Sequence, residues 1–463
     1  MSRPTSALPL VCADFGSTYT KVAAIEPGSG RLLATAAHAT TIGTDVLDGL
    51  DAAVTELERA GIDAACVGVD HSRVWACSSA GGGLRLAVVG YERAVTAEAG
   101  YRVGLSAGAR VVHVAAGSLD PSGIAALVAD RPDVILLVGG TDGGNSDVLL
   151  GNADALAAAR VSVPVVVAGN AVVRDDVATR LAAAGVPVTV TTNVLPRIGT
   201  LDPMPARSAI REVFIHHVIG GKHLSRRADL ATFVRAATPD AVLAGVELLA
   251  DGLGDAGGVG DVVVVDVGGA TTDVYSVVTP DPQAPEHGSE VVETLWRSRT
   301  VEGDLGVRWN VPGVVEAAST ERLVDAAEQA RLTVAAVRRA ADPGFLADSD
   351  DEQAIDLRLV QLAATVALRR HARPHVSGAV RSPGRDLRRA RLVVGSGGVL
   401  RHAPRARAEA VLRAAVSDPA GGWKVPEQAR LVVDRSYVLA AAGLLAAEDP
   451  TTAWGLLRGT LTT

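Results

Sequence analysis

Apolar positions in this chain fall in short runs, and two of those runs end in the same way. Residues 8–13 are mostly apolar and lead into Asp14-Phe15-Gly16-Ser17-Thr18-Tyr19-Thr20-Lys21, after which residues 22–25 turn apolar again. The rhythm returns at residues 262–265, Asp266-Val267-Gly268-Gly269-Ala270-Thr271-Thr272-Asp273 and residues 274–278. Short β-favouring runs around glycine punctuation predict hairpins. Each half of the chain therefore predicts strand, carboxylate, glycine turn, strand.

The pattern between and beyond these hairpins predicts alternating elements. A third strand follows Pro27-Gly28-Ser29-Gly30 and reaches residue 38. Residues 45–60 place Val46, Leu47, Leu50, Val54 and Leu57 on one side of a helix, and residues 64–76 return to strand. Residues 84–192 then repeat strand and helix, with strands at 84–89, 110–114, 134–138, 163–168 and 187–191. Helical stretches such as 94–106 and 154–159 lie between them. Buried strands alternating with helices predict a parallel sheet, taken here as an inserted α/β domain. Residues 193–235 read as helical and irregular, and 241–253 as a helix. Strands at 261–267, 272–279 and 290–296 repeat the first three of the chain. Residues 314–372 predict helix, 391–394 a strand, 431–434 a last strand and 437–447 a last core helix.

Composition narrows the class. At 463 residues the chain exceeds one ordinary core, so several domains are expected. It is 48% hydrophobic but only 3% aromatic, which leaves Ala, Val and Leu to build the interior. The formal net charge of −8 and the lack of a long basic block argue against non-specific nucleic-acid binding. Cys12, Cys66 and Cys77 are scattered, which argues against a disulfide framework, a zinc site or an iron–sulfur cluster. They are expected to be buried thiols. No stretch approaches the roughly 20 apolar residues of a membrane span, and no signal core opens the chain. A cytoplasmic protein without membrane contact is the expectation.

The hairpins carry the candidate chemistry. Gly16, Ser17 and Thr18 offer backbone N–H groups in a turn, where consecutive amides make an anion-binding concavity. Lys21 can place an ammonium against a phosphate. Asp14 repels phosphate directly, so it calls for a cation between them, and Mg²⁺ held largely through water fits. Gly268, Gly269 and Thr271 repeat the donors, bracketed by Asp266 and Asp273. Phosphoryl transfer needs positioning more than covalent chemistry, and Asp266 is the preferred residue to orient a water. Asp14, Asp266 and Asp273 are thus the candidate catalytic carboxylates, and Asp14 and Asp266 the candidate metal ligands. A third element, Val393-Val394-Gly395-Ser396-Gly397-Gly398-Val399, reads as strand, glycine turn, helix start, and can lie flat against adenosine.

These three motifs, in this order and with the helices at 238–250 and 436–447, resemble the actin, sugar-kinase and heat-shock ATPase superfamily. Its phosphate-1, connect-1, phosphate-2, adenosine and connect-2 motifs look like residues 14–21, 239–248, 266–273, 393–399 and 436–444. More narrowly the chain resembles the glutamate mutase L family, which is unrelated to the mismatch-repair protein of similar name. The stretches that carry this are Ala13-Asp14-Phe15-Gly16-Ser17-Thr18-Tyr19-Thr20-Lys21, Ser78-Ser79-Ala80-Gly81-Gly82-Gly83-Leu84, Leu137-Val138-Gly139-Gly140-Thr141-Asp142-Gly143-Gly144 and the second hairpin.

The resemblance implies an α/β fold: a two-lobed actin-like ATPase with duplicated ribonuclease-H-like lobes and an inserted parallel α/β domain. The division expected is 1–83 for the first lobe, 84–235 for the inserted domain and helical connector, and 236–463 for the second lobe with a helical insertion. It implies ATP and Mg²⁺ as cofactors, and a chaperone-like reactivating role toward an adenosylcobalamin-dependent mutase of the glutamate mutase or aminomutase type. Mutase subunits are then the expected partners. A small-molecule kinase of the same superfamily and a nucleotide-gated scaffold without turnover are the alternatives. Heat-shock chaperones carry a glutamate just before the connect-1 proline; this chain has Thr238 there and Asp240 beyond it, so metal coordination is expected to lean on Asp14, Asp266 and Asp273.

Three other features have quieter readings. Residues 139–147 are read as a glycine-rich crossover loop with Asn145 or Ser146 as a helix cap. Glu302 and Asp304 either shape the nucleotide cleft or cap a turn. His216, His217 and His223 lack partners at ligand spacing and are expected on a helix surface.

Overall fold

The computed structural model describes residues 8–68, 71–80, 84–92, 96–107, 109–219, 224–227, 230, 233–279, 297–377, 380–382, 384–419 and 421–462. The chain opens with β1 (Leu10–Phe15), β2 (Tyr19–Ile25), β3 (Leu32–Ala39), α1 (Val46–Arg59) and β4 (Val74–Ser78). Asp45 caps α1, its carboxylate accepting from the Leu47 amide. The inserted domain runs β5 (Arg85–Gly90), α2 (Thr96–Ser106), β6 (Arg110–Ala116), α3 (Pro121–Ala129), β7 (Val134–Leu137), α4 (Asp147–Ala158), β8 (Val165–Val167), α5 (Arg174–Ala183) and β9 (Val188–Val190). Helix α6 (Met204–Val213), strand β10 (Val234–Ala237) and helix α7 (Thr238–Asp251) follow.

The second half holds a small hairpin, β11 (Gly252–Leu253) with β12 (Ala256–Gly257), then β13 (Val262–Val267), β14 (Thr272–Val277) and β15 (Arg297–Glu302). Helices α8 (Val311–Thr320), α9 (Ala326–Ala341) and α10 (Asp350–Ala372) come next, with a short hairpin β16 (His375–Ser377) and β17 (Val380–Ser382). The chain ends with β18 (Leu392–Ser396), α11 (Gly398–His402), α12 (Arg405–Ala415), β19 (Arg430–Val433), α13 (Val438–Leu445) and α14 (Pro450–Leu461).

Two sheets share one topology. The first runs β3-β2-β1-β4-β10 and the second β15-β14-β13-β18-β19. In each, the first three strands are antiparallel and the last two join in parallel. This is the duplicated lobe of the actin-like fold. Inserted between β4 and β10 of the first sheet is an all-parallel sheet of order β6-β5-β7-β8-β9, a doubly wound arrangement.

The structure alters three details of the sequence reading. Strand β10, read as irregular chain, completes the first sheet by pairing with β4. The expected boundary at 235/236 therefore falls inside a strand of the first sheet. The strand expected at 290–296 lies outside the described residues, and β15 fills the third place in the second sheet one turn of chain later. Residues 64–76 hold a 3-10 turn, Ala64–Cys66, before β4 begins at Val74.

Side-chain alternation divides the core. On β1, Val11, Ala13 and Phe15 join a core shared with α1 and with Leu136, Val138 and Val166 of the inserted sheet. Cys12 points the other way, into a layer formed by α7, α13 and α14. On β13, Val263, Val265 and Val267 pack under α8 and α10, while Val262 and Val264 join that same middle layer. The period of two in a strand makes each carboxylate share the face of its neighbours two residues back. Asp14 follows Cys12 and Asp266 follows Val264, so both face the interlobe layer.

Candidate functional site

The two sheets present matched sets of side chains at this seam. Asp14 pairs in register with Lys21 on β2 and with Cys77 on β4. Asp266 pairs in register with Asp273 on β14 and Ser396 on β18. Duplication has therefore put Lys21 opposite an aspartate in position, and made the seam asymmetric in charge.

Each turn is closed in the same way. Gly16 N–H donates to the Tyr19 carbonyl at 3.1 Å and Gly268 N–H to the Thr271 carbonyl at 2.9 Å. A Cβ on Gly16 would stand 2.7 Å from the Tyr19 oxygen, so the turn itself requires glycine there. The turns meet: a Cβ on Gly269 would lie 3.4 Å from Thr18 Oγ1. Ser17 is exposed and Thr18 half-buried.

Asp14 is held from three sides. Its Oδ2 pairs with Lys21 Nζ at 3.2 Å, and its Oδ1 accepts from Thr238 Oγ1 at 2.5 Å and from Cys77 Sγ at 3.6 Å. Lys21 lies 4.2 Å from the centroid of the Tyr437 ring, with Arg401 4.7 Å from the same centroid. Burial works against the Lys21 ammonium, but Asp14, Tyr437 and Asp266 outweigh it and raise its pKa. Asp266 shows the reverse balance. Burial pushes its carboxyl up, Lys21 pulls it down, and Asp273 and Asp14 push up again. The Ser396 hydroxyl also pulls it down. These mutual influences place Asp14, Lys21, Asp266 and Asp273 in one electrostatic group.

Asp273 has a different environment. Arg299, 5% exposed, donates Nε and Nη2 to Asp273 Oδ1 at 2.9 and 2.5 Å, and Thr271 Oγ1 donates to Oδ2 at 3.0 Å. Its carboxylate is saturated by a buried guanidinium and by the turn it supports.

The third glycine turn packs onto the second hairpin. Gly397 has φ +114°, and a Cβ there would lie 2.2 Å from the Val267 carbonyl oxygen. Gly395 faces the Leu412 methyl groups. Gly398 has open space, with only the Tyr437 hydroxyl 3.9 Å away. Asp434 anchors this end: its carboxylate accepts from the Ser436, Val438 and Leu439 amides at the start of α13.

The donor set fits a polyanion with a hard cation. Thr18 Oγ1 is buried at the junction of the turns and has no hydrogen-bond partner among the described residues. An orphaned buried hydroxyl costs about 1–3 kcal/mol, a cost that an incoming phosphate oxygen would remove. Two carboxylates flank the same junction. No cluster of three or more His, Cys, Asp or Glu side chains stands ready for a metal among the described residues, so a cation here would rely on water and ligand oxygens.

Thr238, Tyr437, Arg299 and Arg401 are functional neighbours that sequence reasoning did not pick out as site residues. Thr238 and Tyr437 lie beside the connect-1 and connect-2 segments, which was the available signal. Arg299 sits on β15, beyond the residues read as strand. Elsewhere, Arg370 binds both Glu302 and Asp304, at 2.8 and 2.7 Å from Nη1, so those carboxylates brace β15 against α10. His216 and His217 are exposed on the turn Phe214–Ile219, and His223 lies outside the described residues. In the 139–147 loop, Ser146 takes the N-cap position of α4 but makes no side-chain cap hydrogen bond; the Asn170 side chain binds Gly143, Gly144 and Asn145.

The family model described as MutL protein matches residues 10–461. The curated Protein MutL of Clostridium tetanomorphum is 36% identical over 448 residues, covering 94% of this chain and 96% of its own. Among solved structures, nucleotide-free acetone carboxylase matches at a TM-score of 0.34 and 15% identity, over 78% of this chain and 62% of that one. The activator of 2-hydroxyisocaproyl-CoA dehydratase from Clostridium difficile, with bound ADPNP, matches at 0.31 and 11% identity, over 98% of this chain and 96% of that one.

Proposed function

We propose, from the premise that this chain belongs to the MutL protein family, that it binds and hydrolyses Mg·ATP between its lobes and so reactivates an adenosylcobalamin-dependent mutase. The observation that carries the nucleotide reading is the buried, partnerless Thr18 hydroxyl at the meeting of two glycine turns, each of which follows a strand that carries an aspartate, Asp14 or Asp266. The mutase, of the glutamate mutase or aminomutase type, is inferred from the family.

The chain's residues divide the work. Ser17, Thr18, Gly269 and Thr271 donate hydrogen bonds to phosphate oxygens, whereas Gly16 and Gly268, expected from the sequence as donors, have their amides engaged in closing the turns onto the Tyr19 and Thr271 carbonyls. Lys21 contributes the ammonium, kept charged by its anionic neighbours. Asp14 and Asp266 would hold the water shell of Mg²⁺. Asp266, whose carboxyl is pushed up by burial, orients the attacking water and is suited to accept its proton. Asp273 positions Thr271. Gly395, Ser396, Gly397 and Gly398 lie on the adenosine side. When bound, Mg·ATP supplies the phosphoanhydride bond and the cation that lets carboxylates and phosphates share one site.

Binding that favours a closed over an open pair of lobes moves the lobe angle, and the difference in affinity sets how much work the cycle can do. In this reading the motion loosens mutase subunits so that damaged cobalamin leaves. The test incubates inactivated mutase with this protein, Mg²⁺, ATP and fresh cofactor. Recovery of activity is expected; no recovery rejects the mutase role and leaves the ATPase standing.

One observation favours a second reading, a nucleotide-gated scaffold without turnover. The α7 carboxylate, Asp240, turns away to Arg207 and Arg211, so the connect-1 segment gives the site only the Thr238 hydroxyl. Tight ATP binding with no phosphate release above an Asp266→Ala control would select it.

A further inference from the structure

The first turn of α7 reaches in two directions. Thr238 donates its hydroxyl to Asp14, 2.5 Å away. Two residues on, Asp240 is 2% exposed and accepts from Arg207 Nε at 3.0 Å and Arg211 Nε at 2.5 Å. Arg207 Nη1 also donates to Glu247 at 2.7 Å, about two turns further along the same face of α7. Both arginines belong to α6. That helix buries Ala206, Ala209, Ile210 and Val213 in the core it shares with Leu136, Val138 and Val166 of the inserted sheet.

An acidic residue in a first helical turn gains from the helix dipole without being buried. Burying it with guanidinium groups gives little net stability, because desolvation offsets the attraction. What such a network does well is fix one geometry. Pro239 stands between the two contacts and locks its own φ, so the Thr238 and Asp240 ends of the turn move together.

We propose that Thr238 and Asp240 are positioning residues that couple the nucleotide site to the inserted domain. The proposal rests on the nucleotide reading above. A cation at Asp14 draws on the carboxylate that Thr238 now holds. The first turn of α7 shifts in response, and Asp240 carries the shift through Arg207 and Arg211 into α6. The inserted domain is the output of the ATP site. Its α2 also packs on β15 of the second sheet, so it touches both lobes whose angle the nucleotide sets.

The test is hydrogen exchange across Met204–Val213 in the full chain, with and without Mg·ATP, alongside calorimetry of Mg·ATP binding. Arg211 is 34% exposed, so Arg211→Gln is a substitution the fold is expected to tolerate. In the unaltered chain Mg·ATP changes α6 exchange by at least about fivefold. In Arg211→Gln the nucleotide still binds, but the change in α6 is lost; Arg211→Lys restores part of it. Adding Thr238→Val to Arg211→Gln removes nothing further. A merely structural role predicts instead that Arg211→Gln raises α6 exchange equally with and without nucleotide, and that result overturns the coupling. So does an α6 that ignores bound Mg·ATP in the unaltered chain. Absence of Mg·ATP binding in that chain is seen by calorimetry alone and rejects the nucleotide reading, with the coupling that depends on it.

Discussion

A Cβ placed on Gly443 would lie 1.7 Å from the carbonyl oxygen of Ala241. The contact is reciprocal, since a Cβ on Gly245 would stand 2.2 Å from the Leu439 oxygen. Helices α7 and α13 therefore cross backbone to backbone, at the centre of the layer between the two sheets.

Gly443→Ala is expected to destabilise the chain by about 3 kcal/mol, because neither backbone can yield without moving a lobe. Gly459→Ala on α14 is the control: nothing lies within 4 Å of its Cβ position, and the change should be neutral or gain about 0.5–1 kcal/mol. Urea denaturation of both variants measures the difference.

Asp273 and Asp266 should separate by phenotype. Asp273→Ala leaves the buried Arg299 guanidinium without its carboxylate, at an expected cost of about 3–5 kcal/mol. The variant should show its loss in equilibrium unfolding before any nucleotide is added.

Asp266→Asn should instead stabilise the chain at neutral pH. Burial raises the folded-state pKa of Asp266, so its contribution to stability is fully present below the ordinary carboxylate range and is lost as pH rises through the raised value. The asparagine has no charge to desolvate. Denaturation at pH 7.5 should favour the variant, and the gain should fade as pH falls below the ordinary carboxylate range. The same variant is expected to lose phosphate release, a gain in stability bought with function.

Lys21→Met should weaken Mg·ATP binding by at least about tenfold, since charge-assisted contacts to phosphate are the strong ones. Lys21→Arg is not expected to rescue it fully, because the guanidinium is larger and planar where Tyr437 covers a compact ammonium at 4.2 Å. Isothermal titration measures both.

Much of the fold was legible in the pattern. The carboxylate that ends each apolar run, the glycine two residues later and the resumed strand mark Asp14 and Asp266 without any structure. The inserted parallel sheet shows in the alternation of short Val-rich runs with helices. Strand β10 was not legible, since four residues ending at the start of a helix carry no period of their own. Nor was the contact of Tyr437 with Lys21: the connect-2 segment pointed to the region, but nothing local says that this tyrosine covers an ammonium more than four hundred residues upstream.

The sequence by itself determined the two hairpins, their order and the face each carboxylate takes, because alternation along a strand is a local property. Only the tertiary structure decided that Thr18 meets Gly269, that Arg299 pairs with Asp273 and that Asp240 turns toward α6. Those are contacts between distant segments, and they depend on where α7 and α13 lock together through glycines that let two backbones touch.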